Sequence, residues 1–223
     1  MNKNHLISKL EALAPVDTQE PWDCCGWIVE HPDKDDVQKV MFALTVTEQV
    51  FKQAKEQGCD LIVAHHPLFV VPMDYKDVQM YCAHTNLDKA LGGTTDTILE
   101  NLGLNPDRIE CEFVRIVELE SPMNVEAFAA LLRRISPKLR YVNNCAVQEI
   151  KTVAFCAGSG SEFLDEVDAD AFVTGDLKYH TACEAKKVVY DIGHFESEVL
   201  IKEKFQKILG IEGVMADEKS PFI

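Results

Sequence analysis

The clearest indication of the fold is the stretch "VQKVMFALTVTEQVFKQAKEQGCDLIVAHHP", Val37 to Pro67. Its first ten residues are mostly apolar or β-branched, a composition typical of a strand. An amphipathic helix is predicted next, with Thr47 as its N-cap and Gly58 as its C-terminal stop. "DLIVA" (60–64) then predicts a strand that is buried on both faces. This β-α-β order predicts a parallel strand pair joined by a right-handed crossover.

Strands and helices are predicted to alternate along the rest of the chain. The predicted strands are 78–85, 111–120 and the segments "TVAFCAG", "ADAFVTG" and "VVYDIG". The predicted helices are 4–13 and the segments "TDTILENLG", "NVEAFAALLRRI", "GSGSEFLDEV", "DLKYHTACEAKK" and "HFESEVLIKEKFQKIL". This alternation indicates an α/β fold with mixed sheets. Ser121-Pro122 is predicted to open the helix "NVEAFAALLRRI" and to separate an N-terminal α/β half (1–120) from a C-terminal half (121–223).

The composition is that of an ordinary globular protein with an acidic surface. Of its 223 residues, 47% are hydrophobic and 26% are charged. The formal net charge of −15 argues against nucleic acid or an anionic membrane as a main partner. No apolar run approaches the roughly 18 residues of a membrane span, and "MNKNHLISKLEAL" lacks signal-peptide features, so we expect a cytoplasmic protein. The eight cysteines contain no C-x-x-C pair, which favours buried thiols over a zinc ribbon.

Two adjacent histidines, His65 and His66, stand between the predicted strand 60–64 and Pro67. Open α/β sheets bind their ligands at the carboxyl ends of strands. Adjacent strand residues point to opposite sides, so these two imidazoles could serve two different ions. A single histidine more often makes a structural hydrogen bond than binds a metal, and the doublet therefore carries more weight than either ring alone.

Two further motifs follow predicted strands. "HTNLD" places Asp88 four residues after His84 in a segment predicted to be a loop, although the aspartate could instead cap a helix or form an Asx turn. "GHFESE" places His194 and Glu198 on one face of a predicted helix. Acidic side chains in a first helical turn also interact favourably with the helix dipole, and this interaction alone can explain Glu196. Together the three motifs offer three imidazoles and two carboxylates, ligands that suit zinc, iron or manganese. Five ligands match two ions that share a bridging carboxylate.

Four segments, "DLIVAHHPLF", "HTNLDKALGGTTDTILENLGL", "GSGSEFLDEVDADAFVTGDLKYH" and "DIGHFESE", resemble the dinuclear-metal-centre family named for NGG-interacting factor three (Nif3-like). Members of that family are often labelled "GTP cyclohydrolase I type 2". The similarity runs from the first helix to residue 209. It implies two interlocked α/β halves with a metal site in the cleft between them, and a ring-shaped homohexamer.

The resemblance also implies a set of metal ligands for two divalent transition-metal ions (Zn, Fe or Mn). Carried over by motif, these ligands are His65, His66, Asp88, His194 and Glu198. Glu198 would bridge the ions, one ion taking His66 and Asp88 and the other His65 and His194.

Three departures from the family pattern concern substrate contacts more than these five ligands. Only 17 residues separate His66 from His84, where relatives carry an additional helix. Cys24 replaces the amide of the pattern W-D-N-x-G, and Thr45 replaces the acid of the pattern A-L-D-x-T.

Two cations close together can lower the pKa of a bridging water and clamp an anionic oxygen. The predicted reaction is therefore metal-dependent hydrolysis of a small molecule, with a metal-bridging hydroxide as nucleophile. His84 or His180 could shuttle a proton or orient a ligand, and a structural hydrogen bond is an equal alternative for each. Asp176 could orient a ligand or cap a helix. The alternative class is a metal-binding regulatory or scaffold protein with little intrinsic catalysis, and the motifs identify no residue that reads guanine.

Overall fold

The computed structural model describes residues 1–222, and the chain divides into two compact units. Unit 1 comprises residues 1–93 together with the segment that begins at Ile201, and unit 2 comprises residues 94–200. Unit 1 is therefore built from two separate stretches of sequence.

Unit 1 is built on a five-stranded sheet. Its strands are β1 (Gly26–Val29), β2 (Val40–Thr45), β3 (Leu61–His66), β4 (Gln79–Cys82) and β11 (Val214–Met215). Its helices are α1 (Lys3–Leu13), α2 (Glu48–Glu56), α3 (Thr85–Lys89) and α8 (Ile201–Leu209). The order across the sheet is β1-β4-β3-β2-β11, in which β1 is antiparallel to β4 and the other pairs are parallel.

The predicted β-α-β element is confirmed in unit 1. β2 and β3 pair in parallel, with Val40 opposite Leu61. The Thr47 hydroxyl accepts a hydrogen bond from the Val50 N–H and caps α2, and Gly58 follows the helix in the left-handed conformation. The first five residues of β3 are buried, as expected for a strand covered on both faces. Both histidines of the doublet are thus held at the carboxyl end of a buried strand.

Unit 2 is built on a six-stranded sheet. Its strands are β5 (Arg108–Glu110), β6 (Val114–Asn124), β7 (Arg140–Val142), β8 (Glu149–Phe155), β9 (Ala171–Thr174) and β10 (Val188–Asp191). Its helices are α4 (Thr94–Leu102), α5 (Val125–Leu132), α6 (Tyr179–Glu184) and α7 (His194–Glu198). The order is β5-β6-β8-β9-β10-β7, with a parallel core of β8, β9 and β10 and antiparallel pairs elsewhere. Both sheets are mixed, so the predicted α/β class is confirmed.

Ser121-Pro122 does not open a helix, because β6 continues through both residues to Asn124. The β6–β8 register shifts between Glu118 and Met123, an irregularity that accommodates a proline without an N–H to donate. Asn124 is the true N-cap of α5, accepting a hydrogen bond from the Glu126 N–H. The proposed boundary at Ser121-Pro122 therefore lies inside a strand.

Two predicted helices also differ from the structure. "GSGSEFLDEV" forms only one turn of 3-10 helix, Ser161–Phe163. The long helix expected after Gly193 is two helices, α7 and α8, and the second of these belongs to unit 1. Within residues 1–222, no helix is both long and apolar enough to cross a bilayer.

Candidate metal centre

Three imidazoles of unit 1, which we call the histidine group, lie together: His65, His66 and His84. One ring nitrogen of each lies within 4.8 Å of one ring nitrogen of the others. The ring centroids are 5.1 Å apart for His65–His66 and for His65–His84. His84, which the sequence offers as a proton shuttle, as a residue that orients a ligand or as a structural histidine, is therefore a neighbour of two predicted ligands.

His65 is completely buried, and its Nδ1 lies 2.8 Å from the Ala83 carbonyl oxygen. A carbonyl oxygen can only accept, so Nδ1 carries the proton and the neutral ring keeps its lone pair on Nε2. Nε2 lies 3.5 Å from Oδ1 of Asp88. Asp88 is in the short helix α3, not in a loop as predicted, and its N–H donates to the His84 carbonyl oxygen. The helix thus carries the carboxylate to the histidine group.

His66 is partly buried, and its Nδ1 lies 2.6 Å from the Thr45 hydroxyl oxygen. These two residues are directly opposite each other at the ends of β2 and β3. Thr45 occupies the position where the family pattern has an acid. A carboxylate would only accept from the ring, whereas a hydroxyl can donate or accept, so His66 is the one imidazole of the group whose tautomer this partner leaves open.

His84 is held by Asp23, whose two carboxylate oxygens each lie 3.0 Å from Nδ1. The side chain of Asp23 is 0% exposed and also accepts from the Thr85 N–H and hydroxyl. Burial alone raises the pKa of the Asp23 carboxyl, but the hydrogen bonds from Thr85 and His84 outweigh it and hold that pKa well below its usual range. Asp23 is therefore ionised and keeps the His84 proton on Nδ1.

The sequence motifs do not identify Asp23 as a partner of His84. Its signal in the sequence is its place in the "WDCCG" segment, directly before Cys24.

Unit 2 contributes a second cluster, the carboxylate group, formed by Asp176, His194 and Glu198. His194 Nε2 lies 3.0 Å from Glu198 Oε2, and its Nδ1 lies 2.6 Å from Asp176 Oδ2. The hydrogen bond that His194 donates to Glu198, and then the one that it donates to Asp176, outweigh burial and raise the pKa of His194 to about 9. His194 and Glu198 are one helical turn apart, as the sequence predicted.

Two small residues, Gly158 and Ser197, lie against this cluster. The Gly158 N–H donates to the Ser197 hydroxyl oxygen at 3.0 Å. A Cβ at Gly158 would overlap Oε1 of Glu198, and the backbone there is left-handed, with φ of +64°. The backbone that follows β8 therefore lies so close to the Glu198 carboxylate that a side chain at position 158 would overlap it.

His180 lies outside both clusters. It is exposed on α6, and its ring packs edge-on against Tyr179 at 5.4 Å between centroids. Asp176, the third candidate for an accessory role, is in contact with a predicted ligand, His194, and has a left-handed φ of +51° that aspartate tolerates better than most residues.

The donor atoms suit a transition metal. Imidazole nitrogens and carboxylate oxygens are the ligands that zinc, iron and manganese take in proteins. Metal-binding histidines characteristically donate their other ring N–H to a carbonyl or a carboxylate, which is the arrangement of His65 and His84. Side chains of the histidine group can therefore hold a metal ion.

Relatives of the chain are found by sequence and by structure. The curated protein "GTP cyclohydrolase 1 type 2 homolog" of Clostridium perfringens is 34% identical, over 100% of this chain and 99% of its own length. The protein of the same name from Campylobacter jejuni is 31% identical with the same coverage. Reduced HcgD from Methanocaldococcus jannaschii superposes with a TM-score of 0.84 at 26% identity, over 98% of each chain.

The fold is also that of a Bacillus cereus protein related to NIF3, with a TM-score of 0.85 at 20% identity over 100% of this chain and 99% of that one. The family model described as Duf34/NIF3 (NGG1p interacting factor 3) matches residues 1–218. These residues are nearly the whole sequence. The chain therefore belongs to the DUF34/NIF3 family.

Proposed function

We propose that the chain binds two divalent transition-metal ions and uses them to hydrolyse a small molecule. The observation that carries this proposal is the histidine group, in which three ring nitrogens lie within 4.8 Å of one another. Two of its rings have Nδ1 bound to a fixed acceptor, which leaves Nε2 as the metal-binding atom. The proposed ligands are those implied by the family resemblance: His65, His66, Asp88, His194 and Glu198.

The charges of the two clusters support a shared role in binding the same ions. Imidazoles bind a metal as neutral ligands, so the histidine group together with Asp88 offers one negative charge against four positive charges on two divalent ions. Glu198, only 4% exposed, would add a second carboxylate, and Asp176 lies behind His194. A bridging Glu198 would place its charge between the two ions, where it is most effective.

The chain's own residues can orient the ligands and move a proton. Such a pair of ions, when bound, lowers the pKa of water towards neutrality and polarises a substrate oxygen. His84, with its Nδ1 proton directed at Asp23, can accept a proton at Nε2 and return it to a leaving group. Asp23 stabilises the imidazolium that forms, and Asp176 orients His194 through the same kind of hydrogen bond.

Metal analysis tests the site before any substrate is known. Purified protein should take up about two Zn²⁺ or Mn²⁺ ions per chain, measured by elemental analysis and titration calorimetry. Glu198→Ala should retain at most one ion, because the proposed bridge is lost. Glu196→Ala, two positions away on the same helix, is the matched control and should retain two. Fewer than one ion per wild-type chain would refute the metal site, and two ions in Glu198→Ala would refute the bridge.

A hydrolase screen then tests catalysis. Phosphoesters, amidines and cyclic amides are the substrate classes to screen with added Mn²⁺ or Zn²⁺. GTP belongs in the panel because curated relatives carry the name "GTP cyclohydrolase 1 type 2 homolog". Activity that survives in Glu198→Ala would come from a contaminant. A protein with two bound ions and no activity on any of these classes would favour the regulatory or scaffold alternative.

We also propose that the chain assembles as the homohexamer that the family resemblance implies. Three large apolar side chains, Phe69, Val70 and Met73, are exposed on the segment that follows the histidine doublet. Burying them against another copy would remove apolar surface from water. Light scattering should report six chains per particle, and a monomer at micromolar concentration would contradict this assembly.

A further inference from the structure

The indole ring of Trp22 lies exposed beside the histidine group. Its centroid is 6.1 Å from that of the His84 ring, in an edge-on contact, and the residue is 62% exposed. Trp27, the second of the two tryptophans, is partly buried and packs edge-on against Tyr81 at 5.3 Å between centroids. Tryptophan is highly buried on average in folded proteins, so an indole left in water next to a candidate metal centre indicates a surface that a ligand covers.

A β-turn fixes the position of this indole. The Asp23 N–H donates to the Glu20 carbonyl oxygen at 2.9 Å, and Pro21 occupies the second position of the turn, which its fixed φ favours. The Glu20 N–H donates to the Thr85 hydroxyl oxygen at 2.9 Å, and the Asp23 carboxylate accepts from the Thr85 N–H at 3.0 Å. Both ends of the turn are therefore attached to the residue that follows His84. A ring held in place in this way loses little conformational freedom when a ligand binds to it.

The groups around the indole favour a neutral aromatic ring over a cation as its ligand. A cation would be held best by the ring and a carboxylate together. Both carboxylates that flank the indole already have partners in the chain: Glu20 Oε1 lies 2.6 Å from Lys89 Nζ, and Asp23 is bound to Thr85 and His84. A neutral aromatic ring needs only the indole face, on which it can stack, and such stacking accepts many kinds of ring.

We infer that Trp22 is a stacking platform for a planar aromatic ring of the substrate, and that the substrate joins this ring to an anionic group. The inference rests on the proposed function, because the proposed metal ions beside His84 would hold the anionic group. It narrows the substrate class from small molecules in general to anionic compounds that carry an aromatic ring. Trp22 is thus a specificity-determining residue and not a metal ligand.

Calorimetry on zinc-loaded protein tests the platform with two probes, adenosine monophosphate and ribose 5-phosphate, which differ only in the base. The wild type should bind adenosine monophosphate on the order of fivefold to a hundredfold more tightly, the range for one base stacked on an aromatic side chain. Trp22→Ala should lower the affinity for adenosine monophosphate to that for ribose 5-phosphate and leave the latter unchanged. Trp22→Phe, which keeps an aromatic face, should retain most of the difference.

Fluorescence shows whether the ring binds at this indole. Trp27→Phe leaves Trp22 as the only tryptophan of the chain. Adenosine monophosphate should quench its emission, and ribose 5-phosphate should not, because only the base stacks. Tight binding of adenosine monophosphate without quenching would place the base elsewhere and overturn the inference.

Tyr179→Ala is the matched control for the loss of an exposed aromatic ring. Tyr179 is 76% exposed and packs edge-on against His180, which lies outside both clusters, so this variant should keep the wild-type affinity for adenosine monophosphate. Equal affinities in wild type and Trp22→Ala would overturn the inference. A change in particle mass for Trp22→Ala, measured by light scattering, would assign the indole to an interface between copies and overturn it as well.

Zinc analysis of the same samples separates this inference from the proposed function. Wild type that takes up zinc but binds the two probes equally, or binds neither, would overturn the platform and leave the metal site intact. Wild type that takes up no zinc would refute the proposed function. Quenching of Trp22 by millimolar adenosine monophosphate in that metal-free protein would still decide whether the indole binds aromatic rings.

Discussion

The two units offer a metal very different surroundings. Unit 1 presents three imidazoles, each with one ring nitrogen near the others, and two carboxylates, Asp88 beside His65 and Asp23 beside His84. Unit 2 presents one imidazole between two carboxylates, which raise the pKa of His194 to about 9. The hydrogen bonds of His65 and His84 place a proton on Nδ1 of each ring, whereas in the carboxylate group the His194 ring is protonated at neutral pH. The imidazoles of unit 1 are of the kind that suit zinc or iron, and the two carboxylates of unit 2 place negative charge around His194.

The units also differ in how each buries a cation. In unit 2, Arg115 is 0% exposed, and its Nε lies 2.9 Å from Oδ2 of Asp96, which is itself buried. In unit 1, the buried Lys3 reaches Glu30 at 3.2 Å, but that carboxylate is 40% exposed. The Arg115–Asp96 pair is buried on both sides, whereas the Lys3–Glu30 pair has a partly exposed carboxylate.

The largest loss of stability that we expect comes from removing one partner of the buried Arg115–Asp96 pair. Asp96→Ala should lower the free energy of unfolding by about 3–5 kcal/mol, because it leaves the Arg115 charge buried without this carboxylate. Glu30→Ala should cost only about 1 kcal/mol, since the His31 carbonyl oxygen and the Asp35 carboxylate remain close to Lys3. Urea unfolding of both variants measures the difference. Equal costs would mean that the two ion pairs are equally screened by solvent.

The next effect concerns the buried histidine of unit 1. His65→Ala should weaken Zn²⁺ binding by more than about a hundredfold, because a ligand is lost together with its hydrogen bond to Ala83. His180→Ala, the removal of an exposed histidine of unit 2, should leave Zn²⁺ affinity unchanged. Titration calorimetry on both proteins is the measurement. An affinity loss in His180→Ala would place that ring at the metal and contradict the assignment.

The third prediction is the titration of His194 in metal-free protein. NMR should report a pKa near 9, and Glu198→Gln should lower it more than Asp176→Asn, because Glu198 makes the larger contribution. The pKa is raised above its value of 6.5, so the charged ring stabilises the folded protein below pH 6.5. That stabilisation is lost as pH rises through about 9. A pKa near 6.5 would show that the two carboxylates do not act on this ring.

The smallest effect compares two equivalent aspartates. Asp60, before β3, accepts from the Gln38 and Lys39 N–H groups, and Asp170, before β9, accepts from those of Lys151 and Thr152. Replacing either aspartate by Asn should cost about 1 kcal/mol of unfolding free energy at pH 7.

Asp170 also makes the stability of the protein depend on pH. Burial alone raises the pKa of its carboxyl, but the backbone hydrogen bonds outweigh it and lower that pKa. Its stabilisation is therefore present above the unfolded pKa, near 4, and is lost as pH falls through the folded value. Wild type should lose stability more steeply than Asp170→Asn below pH 4 in thermal unfolding. Parallel pH profiles for the two proteins would contradict this role.

Local rules predicted the β-α-β element from sequence because each signal agreed with the next. Thr47 caps the N-terminus of α2, and Gly58 follows its C-terminus. The apolar strand β3, which comes next and ends in the two histidines, is buried. Those rules failed at Ser121-Pro122, where pairing with β8 keeps a proline in a strand. They also missed β1, β5, β7 and β11, which have two to four residues and depend on a neighbouring strand.

The histidines of the site were recognisable as motifs, but their partners were not. Asp23 and His84 are 61 residues apart in sequence, and no periodicity connects them. The cysteines were predicted to be buried, yet Cys24, Cys145 and Cys183 are exposed, because their segments are loops, a turn or a helix and not strands. Which polar groups meet is decided by the tertiary fold, which local patterns do not encode.

The close approach of Gly158 to Glu198 restricts which sequences can carry this site. In a saturation library at position 158, even alanine should displace the Glu198 carboxylate, although the position has no functional group of its own. A survey that scores only metal ligands would accept chains with a bulkier residue there. Requiring glycine at this position would separate chains that keep the geometry of the site from chains that keep only the metal-ligand residues.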